Sequence, residues 1–144
     1  MMETSVTLLF ERYERLFNQS LGGDIDLDGV ASLYASEFIG AAPGGVKSGK
    51  NDDEFKQALV QGYAHYRAIG TKEMRIRHIR LSPIDEYHCV AHVAWTATYA
   101  RKNQADIAID FEVHYLVQNL DEKPKVFGWV TGDEQALLQK HGII

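Results

Sequence analysis

From Asp106 to Gln118 the chain alternates without a break. Ile107, Ile109, Phe111, Val113, Tyr115 and Val117 fall on one side, and Asp106, Ala108, Asp110, Glu112, His114 and Leu116 on the other. A period of two is that of a β-strand with one buried face; a helix repeats every 3.6 residues and would scatter these side chains around its axis. The register is fixed as well, because a slip of one residue would turn the whole apolar row to water. A strand of this length needs neighbours along its edges and another layer over its apolar face.

The sequence supplies both. Before the row, Met74 to Leu81 is β-like and is broken by Ser82-Pro83, and Tyr87 to Arg101 carries Val90, Val93, Trp95, Thr96, Thr98 and Tyr99. Lys102-Asn103-Gln104 and Asp121-Glu122-Lys123-Pro124 read as turns, with a last strand from Lys125 to Thr131. The covering layer lies upstream. Leu8, Leu9, Tyr13, Leu16 and Phe17 recur at helical spacing between Thr4 and Asn18, and Gly22-Gly23 ends that helix. A short helix is expected from about Asp26 to Ala35, capped by Asp26 or Asp28, leading into an extended piece from Glu37 to Ala41. Pro43 to Lys50 reads as loop. Asn51 with Glu54 opens a third helix that presents Phe55, Leu59, Tyr63, Tyr66 and Ile69 and stops at Gly70. Asp133 is placed to cap a terminal helix with Leu137 and Leu138.

Helices grouped ahead of hairpin-linked strands give an α+β fold: three N-terminal helices packed on a strongly curved antiparallel sheet of about four long strands. The 144 residues suit one domain, 1–144. Apolar residues at 45% and charged residues at 24% are ordinary for a globular chain. The net charge of −5 and the absence of a basic stripe argue against nucleic acid as a partner. The alternating Arg75, Arg77 and Arg80 around His78 read as the wet side of a strand. One cysteine, Cys89, excludes a disulfide framework. No stretch is long and apolar enough for a membrane span, and no secretory leader is visible, so the expected location is cytoplasmic.

The order of elements and three local strings resemble the nuclear transport factor 2-like superfamily, in its polyketide-cyclase (SnoaL-like) branch. The strings are Leu33-Tyr34-Ala35 leading to Pro43-Gly44-Gly45, then Phe111-Glu112-Val113-His114-Tyr115-Leu116-Val117, and Gly132-Asp133-Glu134-Gln135. The resemblance implies a cone-shaped α+β barrel with an apolar pocket, and usually a homodimer through the outer sheet face. The superfamily hosts isomerases, dehydratases, cyclases and non-enzymatic binding modules, so fold leaves function open.

Its steroid-isomerase members place a carboxylate base just before a Pro-x-Gly turn. Here Ala41-Ala42 precede Pro43, and neither can take a proton. Tyr13 resembles the position from which members point a phenol inward, where it could hydrogen-bond an oxyanion; the plainer account is a core tyrosine. Asp110 and His114 share a strand face with Glu112, which the uniformly apolar opposite face turns outward. His88 and His92, four apart on a strand, lie about 13 Å apart, too far to share an ion; His92 with a residue of the next strand stays open. Asp24 to Gly29 imitates the start of a calcium loop, but its twelfth position is Ala35. No metal and no cofactor is implied.

Two functions follow. The first is a small-molecule-binding domain whose apolar pocket is lined by Tyr13, Phe17, Tyr34, Phe38, Tyr66, Phe111 and Trp129, for an apolar or aromatic ligand. If it turns that ligand over, cofactor-free isomerisation, cyclisation or dehydration would draw on Tyr13, His78 or Asp110. The second is a non-catalytic homodimeric module that associates through the outer sheet face. The sequence leaves open whether the protein is an enzyme.

Overall fold

The computed structural model describes residues 2–144. Chain order is α1 (Met2–Leu21), α2 (Leu27–Ala31), β1 (Tyr34–Ala42), β2 (Gly45–Lys50), α3 (Asp53–Ala68), β3 (Thr71–Pro83), β4 (His88–Arg101), β5 (Gln104–Leu120), β6 (Lys123–Thr131) and α4 (Glu134–Lys140). The strands form one curled, unclosed sheet in the order β2-β1-β6-β5-β4-β3, with the helices against its concave face. The expected α+β architecture is present.

The apolar row of β5 turns inward as its alternation requires. Ile109, Val113, Tyr115 and Val117 are buried, while Asp110 and Glu112 are exposed on the convex side. On β4 the inward set is Cys89, Ala91, Val93, Trp95, Ala97 and Tyr99, none more than 3% exposed. Each large side chain removed from water there contributes about 1.5–3 kcal/mol. From α1, Val6, Leu9, Phe10, Leu16 and Phe17 meet this surface.

The two sheet edges are protected differently. On β3, the Asn18 side chain donates to Met74 O and accepts from Met74 N, both at 2.8 Å, and Glu14 Oε2 accepts from Ile76 N at 2.6 Å. Polar residues on the sheet-facing side of α1 thus satisfy backbone groups that a free edge would offer to another chain. On β2, Lys47 and Lys50 are exposed and discourage pairing. The β5–β6 turn is tighter than expected: Asp121 and Glu122 have φ of 53° and 57°, the two-residue hairpin geometry, and Lys123 and Pro124 already pair with β5.

Four expectations are corrected. The segment after Pro43 is not loop; Gly45–Lys50 pairs antiparallel with β1. Its Gly-Val-Lys-Ser-Gly-Lys composition hides it, since an exposed edge strand carries no apolar alternation. The sheet has six strands and is mixed, because β1 runs parallel to β6. The extended piece expected at Glu37–Ala41 is β1 itself, starting at Tyr34 because the second helix stops at Ala31. Finally, Asp52 rather than Asn51 caps α3, accepting from Phe55 N at 3.0 Å. Asn51 Nδ2 instead donates to Ala31 O, Tyr34 O and Ala35 O at 2.8, 3.2 and 3.3 Å, holding the bend between α2 and β1.

Candidate functional site

The concave side is furnished by aromatic rings, and their order follows from strand parity and helix spacing. Tyr13 and Phe17, four apart on α1, share its sheet-facing side. Trp95 of β4, Tyr115 of β5 and Trp129 of β6 lie on the inward face, with Phe111 directly paired to Trp95 and Trp129 to Tyr115. Tyr13 is central: its ring centroid lies 5.9 Å from Phe10, 6.5 Å from Phe17, 6.4 Å from Tyr34, 5.7 Å from Trp95 and 5.7 Å from Tyr115. Tyr34, Phe38, Phe55 and Trp129 form a second group beside it, at 4.7–5.8 Å.

Trp129 can lie flat against β1 only because its partner there is Gly40. A Cβ at Gly40 would stand 2.8 Å from the indole nitrogen. Gly49 on β2 does the same for Phe38, whose ring would be met at 2.5 Å. Two glycines that look like strand breakers are therefore the slots in which two site aromatics rest.

The polar atoms within this apolar setting are few. Trp95 Nε1 donates to the Tyr115 hydroxyl at 3.2 Å, and the Tyr34 hydroxyl donates to that of Tyr13 at 3.4 Å. Burial is the main force pushing the Tyr34 and Tyr115 phenols well above their ordinary pKa, with the neighbouring Tyr13 adding to it. Burial likewise raises Tyr63 and Tyr99 to about 12, and lifts Tyr66 further. All stay protonated at neutral pH, so none of them serves as a base. The carboxylate that reaches this cluster is Glu134, in the first turn of α4, whose Oε1 accepts from the Tyr66 hydroxyl at 3.3 Å.

Two open depressions border the cluster along the seam between β1 and α3. One, of about 790 Å³, is floored by Phe38 and Phe55 and rimmed by Glu37, Lys50 and Glu54. The other, of about 440 Å³, touches Tyr34 and is rimmed by Asn51, Lys56 and Lys125. Tyr13, Tyr34, Tyr66, Phe111 and Trp129 point inward yet keep partial exposure, whereas Phe17 is buried and Phe38 shows only the edge that floors the larger depression.

Of the seven residues expected to line a pocket, the structure packs Tyr13, Phe17, Tyr34, Phe38, Tyr66 and Trp129 ring beside ring, and of these Phe38 borders the larger depression and Tyr34 the smaller. Phe111 shares their face at the Trp95 pair. The two acid–base candidates lie elsewhere. Asp110 is exposed on the convex face, where it accepts from Thr96 Oγ1 at 2.6 Å and sits 3.5 Å from Arg77. His78, paired with Ala94, is exposed on that same face. Neither faces the aromatic cluster, as the alternation of Asp110 with the buried Ile109 dictates. The outward set also brings His92 and His114 together across β4 and β5, with Nδ1 atoms 2.7 Å apart. Sequence reasoning missed the polar parts of the inner site. Tyr115 and Trp95 signal only burial in the sequence, and Glu134 reads as a helix-start residue. The hint available was that Tyr115 belongs to the inward row and so had to place its hydroxyl inside.

Among the described residues no helix is long and apolar enough to cross a membrane, and no group of three or more His, Cys, Asp or Glu surrounds a common ion position.

Comparison with known proteins places the fold. An NTF2-like protein of unknown function from Shewanella oneidensis MR-1 superposes with a TM-score of 0.65 at 18% identity, covering 92% of this chain and 100% of that one. An NTF2-like protein with a cystatin-like fold from Novosphingobium aromaticivorans gives 0.69 at 10% identity, with 99% and 88% covered. A ketosteroid isomerase-like protein from Erwinia carotovora atroseptica SCRI1043 gives 0.58 at 13% identity, with 90% and 91% covered. At these identities the likeness is one of fold. No curated protein matches the sequence. A family model described as NTF2-like protein (DUF6841) matches residues 3–134, and the chain belongs to that NTF2-like family.

Proposed function

We propose that this protein binds a compact, mostly apolar guest carrying one acceptor oxygen, such as an aromatic ketone, entered from the β1–α3 seam and held among Tyr13, Tyr34 and Trp129. The observation that carries the reading is the loose Tyr34–Tyr13 contact. At 3.4 Å it is a weak hydrogen bond from the Tyr34 phenol, which burial keeps protonated, to the Tyr13 hydroxyl. Trading it for a bond to a guest oxygen loses little, whereas the surrounding rings supply apolar contact area. The NTF2-like fold, which elsewhere in the superfamily hosts cyclases of the SnoaL-like kind, suits such a guest. Binding rather than turnover is the better supported role. Ala41-Ala42 leave no base at the strand end, and His78 and Asp110 face the other side of the sheet. Were the guest to be isomerised or dehydrated, Glu134, which accepts from Tyr66 at the border of the ring cluster, would be the first carboxylate to test as the proton carrier.

The test uses 2-acetylnaphthalene, whose carbonyl stretch reports hydrogen bonding. The parent protein should bind it saturably with a red-shifted carbonyl band. Tyr13→Phe should weaken binding about 5- to 10-fold, the worth of one hydrogen bond, and return the band toward its apolar-solvent position. Equal affinity and an unchanged band in the variant would remove Tyr13 from the site.

A second reading rests on the convex face, where Ile39 and Val130 are 44% and 47% exposed near the outward Leu116 and Phe127. We propose that this face supports homodimerisation, with Glu112 on its β4–β5 side. Charge reversal by Glu112→Lys should shift sedimentation toward monomer, and a parent that sediments as a monomer at high concentration would refute this reading.

A further inference from the structure

The convex face carries a feature that ligand binding on the concave side does not use. His92 of β4 and His114 of β5 are directly opposite each other in the antiparallel ladder. Their rings stand 4.9 Å apart at 72°, and the two Nδ1 atoms face each other at 2.7 Å. Ser82 Oγ lies 2.8 Å from His92 Nε2, and Arg80 donates to that Oγ at 3.3 Å. The His92 ring is therefore held from both ends, and both imidazoles are half-buried in the sheet surface.

A 2.7 Å separation means that one Nδ1 carries a hydrogen and the other is bare. Both nitrogens become bare if that one proton moves to Nε2 of its own ring, a change of tautomer that releases no proton. Two imidazole lone pairs then face the same small space. With nitrogen–metal bonds of about 2.1 Å, the observed separation subtends about 80° at an ion set between them. Cis nitrogens at 90° need about 3.0 Å and tetrahedral ones about 3.4 Å, so square-planar or octahedral geometry asks for a few tenths of an ångström of separation together with a turn of the rings that aims both lone pairs at the ion instead of at each other. The backbone ladder, not a flexible loop, fixes the spacing.

We propose that His92 and His114 form a bidentate site for a divalent transition-metal ion that takes cis nitrogens, Cu²⁺ above all. Among the described residues no third His, Cys, Asp or Glu completes the site, so water fills the remaining positions. The charged surroundings are mixed. Arg80 on β3 opposes a cation, Glu112 on β5 favours one, His78 lies next along β3, and β6 presents Val130 opposite His114.

The test is Cu²⁺ titration of the full chain, followed by calorimetry and pulsed electron paramagnetic resonance. The expected result is one Cu²⁺ per chain coupled to two imidazole nitrogens. His92→Ala and His114→Ala should each weaken binding about 30-fold or more and leave one coupled nitrogen, because the second imidazole binds from a high effective concentration. The double variant, with neither imidazole left, should bind more weakly again and lose the coupled nitrogen of this site, and His78→Ala should match the parent. His114→Gln, which keeps a polar neighbour for His92, serves if an alanine variant does not fold, and should show the same loss. A single coupled nitrogen in the parent, or unchanged affinity in a folded single variant, would overturn the site.

Discussion

Replacing Tyr115 with Phe tests whether the inner polar cluster is built in two parts with different duties. The Tyr115 hydroxyl accepts the Trp95 indole N–H at 3.2 Å, and Trp95 has no solvent exposure at all. Phenylalanine keeps the ring and its packing but leaves that N–H buried without an acceptor. An orphaned buried donor costs about 1–3 kcal/mol. For a chain of this length that corresponds to a fall in Tm of roughly 4–10 °C. Tyr13→Phe should cost under about 0.5 kcal/mol, because the bond it loses is long and weak. The assay is urea unfolding followed by Trp fluorescence, with the downfield indole N–H resonance of Trp95 as a local reporter. That resonance should move in Tyr115→Phe and hold in Tyr13→Phe. The reverse order of stability losses, with Tyr13→Phe the more damaging, would refute the division into a structural Tyr115–Trp95 pair and a loosely held Tyr13.

Gly40→Ala should cost about 1–3 kcal/mol, since its Cβ would press on the Trp129 indole and the ring has Tyr34 and Phe38 behind it; unfolding at parental stability would refute the slot. Asn51→Ala removes three hydrogen bonds to the α2–β1 bend and should lower unfolding free energy by about 1–3 kcal/mol, a loss that hydrogen exchange should localise to Ala31–Ala35. Asp85 is held below the ordinary carboxylate pKa chiefly by its hydrogen bond with the His88 ring, with the Tyr87 and His88 amides adding to it. A depressed carboxylate stabilises the fold above its unfolded pKa, and that contribution is lost as pH falls through the lower folded value. Asp85→Asn should therefore be less stable than the parent at pH 7, and the gap should close in acid below the ordinary Asp value of 3.8. A gap that widens in acid would contradict this.

How much of this was legible in the sequence depends on which physical constraint each residue answers to. The inward row of β5, the helical stripe of α1 apart from Leu8, which is 58% exposed, and the caps, where Asp26 rather than Asp28 opens α2 and Asp133 opens α4, follow local rules of period and hydrogen bonding. Strand β2 was hidden because an exposed edge strand need not alternate. Gly40 and Gly49 carry no local sign of their role, because the rings they accommodate, Trp129 and Phe38, come from other parts of the chain or from the neighbouring strand. Asn51 fits a helix cap locally, and only the tertiary bend gives it carbonyls to hold. The aromatic lining could be named from the helical stripes and the inward face of the sheet. The hydroxyl geometry of Tyr13, Tyr34 and Tyr115 could not, since it depends on ring approach across three separate elements. The convex location of Asp110 and His114 was readable from parity, but their cross-strand partners depend on register.

The most direct measurement is a nuclear magnetic resonance map of 2-acetylnaphthalene bound to the uniformly labelled protein. Saturable shifts and intermolecular nuclear Overhauser contacts are expected at Trp129, Tyr34 and Tyr13, with the amides of His78, Asp110 and Glu112 undisturbed. Contacts confined to the convex strands, or no saturable shift up to the solubility limit of the ketone, would contradict a guest site among the concave aromatic rings.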